Sequence, residues 1–68
     1  MGNGINRSQY YKRLARQREK LLARLFNIIG QLHLVGGSMT SIERVVRVAR
    51  RVERSMREYQ CLALLEEI

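Results

Sequence analysis

The stretch "HLVGGSMTSIE", residues 33–43, decides the fold, because it holds the one pair of adjacent glycines in the chain. Helical periodicity flanks this pair on both sides, no proline interrupts it, and no segment alternates polar and apolar residues as a strand would. Within the stretch, Thr40 and Glu43 have the spacing of a capping box. We therefore predict an all-α chain with a flexible N-terminus over 1–7, a helix over 8–35, a turn over 36–39 and a helix over 40–66.

The first helix has a wide apolar stripe. Asn6 or Ser8 can cap its start, because either side chain accepts a bond from a free amide of the first turn. Apolar residues recur at steps of three and four, and Arg18 interrupts them: Tyr11, Leu14, Leu21, Leu25, Ile28, Leu32 and Val35. A second line runs beside the first: Ala15, Leu22, Phe26 and Ile29. Together the lines exceed what one two-helix seam needs.

The second helix has one register with small residues in it, and after Tyr59 the helix becomes apolar on several sides. The register is Ile42, Val45, Ala49, Val52, Met56, Tyr59 and Ala63. Its alanines allow a facing helix to come close. A turn of about four residues between two long helices makes them antiparallel. Lys12 and Arg13 are then expected to meet Glu66 and Glu67, and Leu25 is expected to lie near the middle of the second helix.

The chain is expected to associate with itself. A chain of 68 residues buries only about 60% of its surface on folding. With one cysteine and one histidine it has neither an internal disulfide nor a structural zinc site. An antiparallel hairpin that dimerises into a four-helix bundle would cover the wide stripe. A monomer that waits for another partner, and the choice of the stripe that forms the interface, stay open. The expected core and dimer residues are Leu21, Leu22, Leu25, Phe26, Ile29, Val45, Ala49, Val52 and Met56.

The sequence contains few residues that could carry out catalysis. It has no aspartate, one histidine and one cysteine, and no glycine-rich phosphate loop. His33 is expected at a helix end, where a cation suits the helix dipole, and Cys61 as a small buried apolar group. We predict no enzyme, no metal, no cofactor and no small-molecule substrate. A lone thiol without a signal peptide indicates the cytoplasm, and the longest apolar run is too short to span a bilayer.

Charge is the strongest functional signal, since the net charge is +7. Four arginines at steps of three and four, Arg44, Arg47, Arg51 and Arg54, share the face of the second helix opposite its core and span about 15 Å. With Arg18 and the cations of the first helix they are expected to form a central basic band. An ordinary solvated helix face, with charges paired along the helix, is the competing interpretation. The expected partner-binding residues are Arg16, Lys20, Arg24, Arg44, Arg47, Arg50, Arg51 and Arg54.

Two functions compete for this surface. The favoured one is a small regulatory protein, of the type found in phages and mobile elements, that binds and inhibits a protein partner through a basic and apolar helical surface. The alternative is a dimeric helical bundle that binds RNA or DNA, since guanidinium groups suit phosphates. A subunit of a larger helical assembly is a third interpretation, and a membrane partner ranks last.

Overall fold

A computed structural model describes residues 6–68 as an antiparallel helical hairpin. Helix α1 covers Arg7–Leu34 and helix α2 covers Met39–Glu67, and the two pack against each other along their length. The predicted all-α hairpin is confirmed. The helix bounds differ by one residue at each end from those expected. Of the N-terminal segment expected to be flexible, residues 1–5 lie outside the described residues, while Asn6 caps α1 and Arg7 begins it.

The turn between the helices depends on both glycines. Gly36 has a φ of +71°, and its N–H bonds the carbonyl of His33 at 3.2 Å. The N–H of Gly37 bonds the carbonyl of Leu32 at 2.7 Å. This pair of bonds is the Schellman motif, which satisfies free carbonyls at the end of a helix and needs a left-handed residue between them. A Cβ on Gly37 would lie 3.0 Å from that same carbonyl oxygen. Glycine is therefore favoured at position 36 because of its positive φ and at position 37 because a Cβ there would be too close to the backbone.

The start of α2 differs from the prediction. Ser38 is the N-cap, and its hydroxyl oxygen accepts the N–H of Ser41 at 3.2 Å. The capping role expected of Thr40 is wrong, because Ser38 is the first residue after the glycines that offers a side-chain oxygen. The helix consequently starts before Thr40, which lies inside its first turn. At the other helix, the side-chain oxygen of Asn6 accepts the N–H of Gln9 at 3.3 Å.

The seam between the helices repeats every seven residues, as in a coiled coil. The seven residues of the register predicted for α2 are all buried or half-buried. On α1 the sequence left open which of the two apolar lines faces α2, and the structure takes residues from both. Leu21 and Ile28 lie outside the seam, exposed at its side, and Ala15 and Leu22 take the buried positions instead. Small residues meet at one end of the seam, where Ala15 of α1 and Ala63 of α2 are both buried and line the same hollow. The seam of α1 comprises Ser8, Tyr11, Ala15, Arg18, Leu22, Leu25, Ile29 and Leu32.

The resulting core is thin. The buried apolar residues of the described chain include three alanines, Ala15, Ala49 and Ala63, with Leu22 and Ile42 as the larger ones. Within residues 6–68 no large side chain falls below 2% exposure. Such a hairpin buries little apolar area per residue, so much apolar surface is left for a partner to cover.

Candidate functional site

The seam consists of two rows of side chains that differ in burial. Residues spaced alternately by three and four fall on the two edges of a helical stripe. The row along one edge is buried for most of its length, as in Ala15, Leu22 and Ala49. The row along the other edge is only half-buried throughout: Tyr11, Arg18, Leu25, Leu32, Val45, Val52 and Tyr59. The hairpin is therefore closed along one edge and open along the other.

An exposed apolar line borders the open edge. Leu21 lines a hollow of about 450 Å³ there, together with Val52 and Ser55. Residues seven positions apart lie on the same side of each helix, which adds further apolar side chains to this border. The exposed fractions of Leu21, Ile28, Val48 and Leu62 are 45, 43, 46 and 37%. We call this half-buried row with its apolar border the open groove.

Arg18 lies in the floor of the open groove and is held there by three contacts. Its Nε donates to the hydroxyl of Ser55 at 3.1 Å, and one terminal nitrogen donates to the carbonyl of Leu14 at 3.4 Å. Its guanidinium carbon stands 4.7 Å from the ring centroid of Tyr59, which stacks on Tyr11. A guanidinium has five N–H groups, so three of them have no acceptor within the described residues. The cation is thus fixed in position with donors to spare.

Further arginines border the open groove on both helices. Arg51 and Gln17 line its central hollow. Arg24 is seven residues from Gln17 and Arg44 is seven residues from Arg51, so both lie on the same side of their helices. The same spacing adds one carboxylate, that of Glu58. Within residues 6–68, no ion pair engages the three bordering arginines. The groove therefore combines an apolar lining with uncompensated positive charge.

The opposite flank of the hairpin is balanced in charge. Glu67 forms an ion pair with Lys12, as expected from the antiparallel arrangement, and accepts the hydroxyl of Ser8 at 3.0 Å. The pKa of Glu67 is lowered by three effects: the hydrogen bond from the Lys12 ammonium, the hydrogen bond from the Ser8 hydroxyl and the positive charge of Lys12. Glu43 lies on the same side as Arg50, seven residues away. Within residues 6–68, cations and carboxylates are equally numerous on this flank, which we call the balanced flank: Lys12, Arg16, Arg50 and Arg57 with Glu19, Glu43, Glu53 and Glu67.

Apolar surface on the balanced flank is concentrated toward the turn. Phe26 is 57% exposed, and it borders a shallow hollow with Ile29 and Val46. Glu53 lies at the edge of that hollow and pairs with Arg57 at 3.4 Å. Beneath it the floor is closed, since Ala49 is buried. This flank therefore offers a compact apolar patch surrounded by charges of both signs.

The structure divides the basic band that the sequence predicted. Lys20 on α1 does not share a surface with Arg47 and Arg54 on α2, because the outer faces of two paired helices point in opposite directions. Arg16 and Arg50 lie on the balanced flank. Arg24, Arg44 and Arg51 are brought together, but at the border of the open groove, where Arg18 joins them. All of the predicted partner-binding cations are exposed.

The chain also carries two reactive side chains, Cys61 and His33. Cys61 is exposed, so its expected burial is wrong. It lies on the outer face of α2, where the repeat of that helix points away from α1. His33 is in the last turn of α1, as predicted. Within residues 6–68, no three metal-binding side chains cluster and no helix is apolar enough over its length to cross a membrane.

Sequence reasoning missed the open groove itself. It left open which of the two apolar lines of α1 faces α2, and it treated Arg18 as an interruption of the register. One signal was available, namely that the apolar stripe of α1 is wider than one seam requires. Comparison with known proteins adds no relative: no family model matches the chain, and neither a curated protein nor a solved structure is similar to it.

Proposed function

We propose that the chain is a small non-enzymatic regulatory protein that binds and inhibits a protein partner. The single observation that supports this proposal is the open groove, in which exposed aliphatic side chains run beside arginines that lack ion-pair partners. Arginines beside apolar anchors are the side chains that contribute most to protein interfaces. A contiguous apolar patch on a small chain indicates an interaction site.

We also propose that two hairpins pair through the balanced flank into a four-helix bundle. The apolar patch around Phe26 and Val46 supplies a contact, and charges of both signs around it suit a second copy of the same surface. A pairing through the open groove would instead bring the unpaired arginines of both copies together. The exposed thiol of Cys61 fits a reducing compartment, so the proposed location is the cytoplasm.

Nucleic acid is the second candidate partner. The observation that favours it is the outward pair Arg47 and Arg54 on α2, with Arg44 and Arg51 beside them, none of which has a carboxylate partner in the described chain. Guanidinium groups at this spacing suit successive phosphates. In the groove floor, however, the rings of Tyr11 and Tyr59 already stack on each other and Arg18 lies over Tyr59, which limits their use as stacking platforms for bases.

Capture of partners from source cells distinguishes the two candidates. The bait is the full chain, compared with Arg51→Glu in the groove border, Arg47→Glu on the outer face and Lys20→Glu as a charge-matched control on α1. A protein retained by wild type and Lys20→Glu but lost by Arg51→Glu supports the proposal. Nuclease-sensitive capture that Arg47→Glu abolishes supports the nucleic-acid candidate, which predicts a steep fall of affinity with salt. Retention by all variants contradicts both.

The dimer is tested by sedimentation equilibrium of wild type and Phe26→Lys. We expect wild type to have the mass of two chains and the variant that of one, because a cation on each copy would replace an apolar contact. Leu21→Lys is the matched control in the open groove, and its mass should equal that of wild type. The opposite pattern would place the second copy in the groove.

A further inference from the structure

We infer that the open groove binds an acidic amphipathic helix, which lies along the seam as a third helix. This inference rests on the proposed function and specifies the chemistry of the partner. The partner would carry apolar side chains at heptad spacing and carboxylates on both borders of that apolar stripe. Three independent features of the groove support it: its shape, the charge of its borders and the free donors of Arg18.

The shape of the groove suits a helix. Its floor follows both helices of the hairpin in heptad steps, from Tyr59 near the open end to Val45 near the turn. Side chains at this spacing leave regular holes, into which the apolar residues of a third helix fit as knobs. Leu21 and Val48 stand on the two sides of the groove, and both are nearly half exposed. Within residues 6–68 all regular structure is helical, so no sheet edge is present for an extended peptide to join.

The borders of the groove select the charge of the partner. Arg24 on one side and Arg44 and Arg51 on the other would flank a bound helix. Within residues 6–68 the opposing carboxylates are Glu58 on the border and Glu66 at the open end, seven residues after Tyr59. A second copy of the chain would bring the same arginines into opposition, which disfavours self-association at this face. A helix with glutamates or aspartates beside its apolar stripe satisfies both borders at once. The charge of the groove thus selects a partner other than the chain itself.

Arg18 would bind a carboxylate of the partner at the centre of the groove. Its guanidinium is fixed by Ser55 and by the ring of Tyr59, so little side-chain entropy is lost when the remaining donors find an acceptor. A planar guanidinium donates two parallel bonds to a carboxylate. Covering the groove removes water from this pair and strengthens it. Arg18 therefore acts as a central anchor, with Arg51 beside it in the same hollow.

The inference is tested with a synthetic peptide of about three heptads, which spans about 30 Å as a helix. It carries leucine at both core positions of each heptad, glutamate beside them and a fluorescent label. We expect anisotropy to show binding and circular dichroism to show a gain of helix on mixing. A peptide with lysine in place of glutamate, and one with a central proline, should not bind. Equal binding of the lysine peptide would overturn the inference.

Variants of the full chain locate the binding site. We expect Leu21→Asp, Arg51→Glu and Arg18→Met each to raise the Kd of the acidic peptide by about tenfold or more, as for central interface residues. Leu34→Asp and Lys20→Glu, both on the outer face of α1, should leave the Kd unchanged. Circular dichroism of each variant establishes that the hairpin is still folded. Loss of binding in Lys20→Glu equal to that in Arg51→Glu would show general charge attraction and overturn the inference.

Other occupants of the groove give different results. Conversion of a dimer to a monomer by Leu21→Asp would assign the groove to a second copy. Binding of phosphatidylglycerol vesicles or of an RNA hairpin, with loss in the groove variants and no binding of the acidic peptide, would assign it to a membrane or a nucleic acid. If capture from cells depends on Arg51 but the peptide does not bind, the inferred helix is refuted while the proposed function stands. If the peptide binds and nothing is captured, the inference stands and the proposed function falls.

Discussion

Three glycines of this chain occupy different environments, and we predict that replacing each by alanine has a different effect on stability. Gly30 lies inside α1, and a Cβ there would meet nothing within 4 Å. Gly36 has a φ of +71°, and its added Cβ would also meet nothing. Gly37 would place a Cβ 3.0 Å from the carbonyl oxygen of Leu32. The first substitution tests helix propensity, the second backbone conformation and the third steric contact.

The expected changes follow from these environments. Gly30→Ala should raise the free energy of unfolding by about 0.8–1 kcal/mol, the difference in helix propensity. Gly36→Ala forces an L-residue into the left-handed region at a cost of about 1–2 kcal/mol, partly offset by about 0.4–1 kcal/mol from a stiffer unfolded chain. Its net effect is destabilising. Gly37→Ala must displace the carbonyl of Leu32 from its 2.7 Å bond to residue 37, which costs about 1 kcal/mol or more.

A D-alanine at position 36 is the matched control, since the chain of 68 residues is short enough for total synthesis. D-alanine adopts positive φ without strain, so it should retain the gain from the stiffer unfolded chain and lose the penalty. We therefore expect D-alanine at 36 to stabilise the hairpin and L-alanine at the same position to destabilise it. The two chains differ only in the configuration of one carbon atom.

The assay is urea unfolding followed by circular dichroism at several protein concentrations, which separates hairpin stability from association. In thermal unfolding a change of 1 kcal/mol shifts the Tm by about 4–8 °C for a domain of this size. The order of stability should be Gly30→Ala, wild type, then Gly36→Ala and Gly37→Ala. A Gly36→Ala chain as stable as wild type would refute the assignment of a left-handed residue to the turn.

Three further predictions concern other parts of the hairpin. The pKa of Glu67 is lowered by Lys12 in the folded state. The contribution of Glu67 to stability is therefore present above the unfolded pKa and is lost as the pH falls through the folded pKa. We expect the loss of stability at acid pH to be smaller in Glu67→Gln than in wild type. Ala49 is 4% exposed, so Ala49→Leu should lower the free energy of unfolding by about 1–3 kcal/mol through overpacking. The control Ala23→Leu, on the exposed face of α1, should be nearly neutral in urea unfolding. Cys61 should react with a thiol reagent at the rate of an unfolded control peptide, and strong protection would contradict its exposed position.

The sequence was sufficient to predict the hairpin. Adjacent glycines at 36 and 37 between two periodic segments leave the chain one way to bury both stripes, which is to fold back on itself. The register of α2 was predictable for the same kind of reason, because its residues at steps of three and four form one continuous line from Ile42 to Ala63. These features are local, so periodicity and turn chemistry are enough to determine them.

Only the tertiary structure decided which line of α1 enters the seam. The sequence left open whether the line of Leu21 or the line of Ala15 faces α2, and in the structure Ala15 and Leu22 are buried while Leu21 is exposed. That choice leaves Leu21 beside the open groove and puts Arg18 in its floor, and it separates cations that the sequence had joined in one band. The face of the hairpin on which a charged residue lies depends on how its helix is rotated against the neighbouring helix. Composition and periodicity therefore determined the hairpin and its net charge of +7, whereas packing between the helices determined where that charge meets apolar surface.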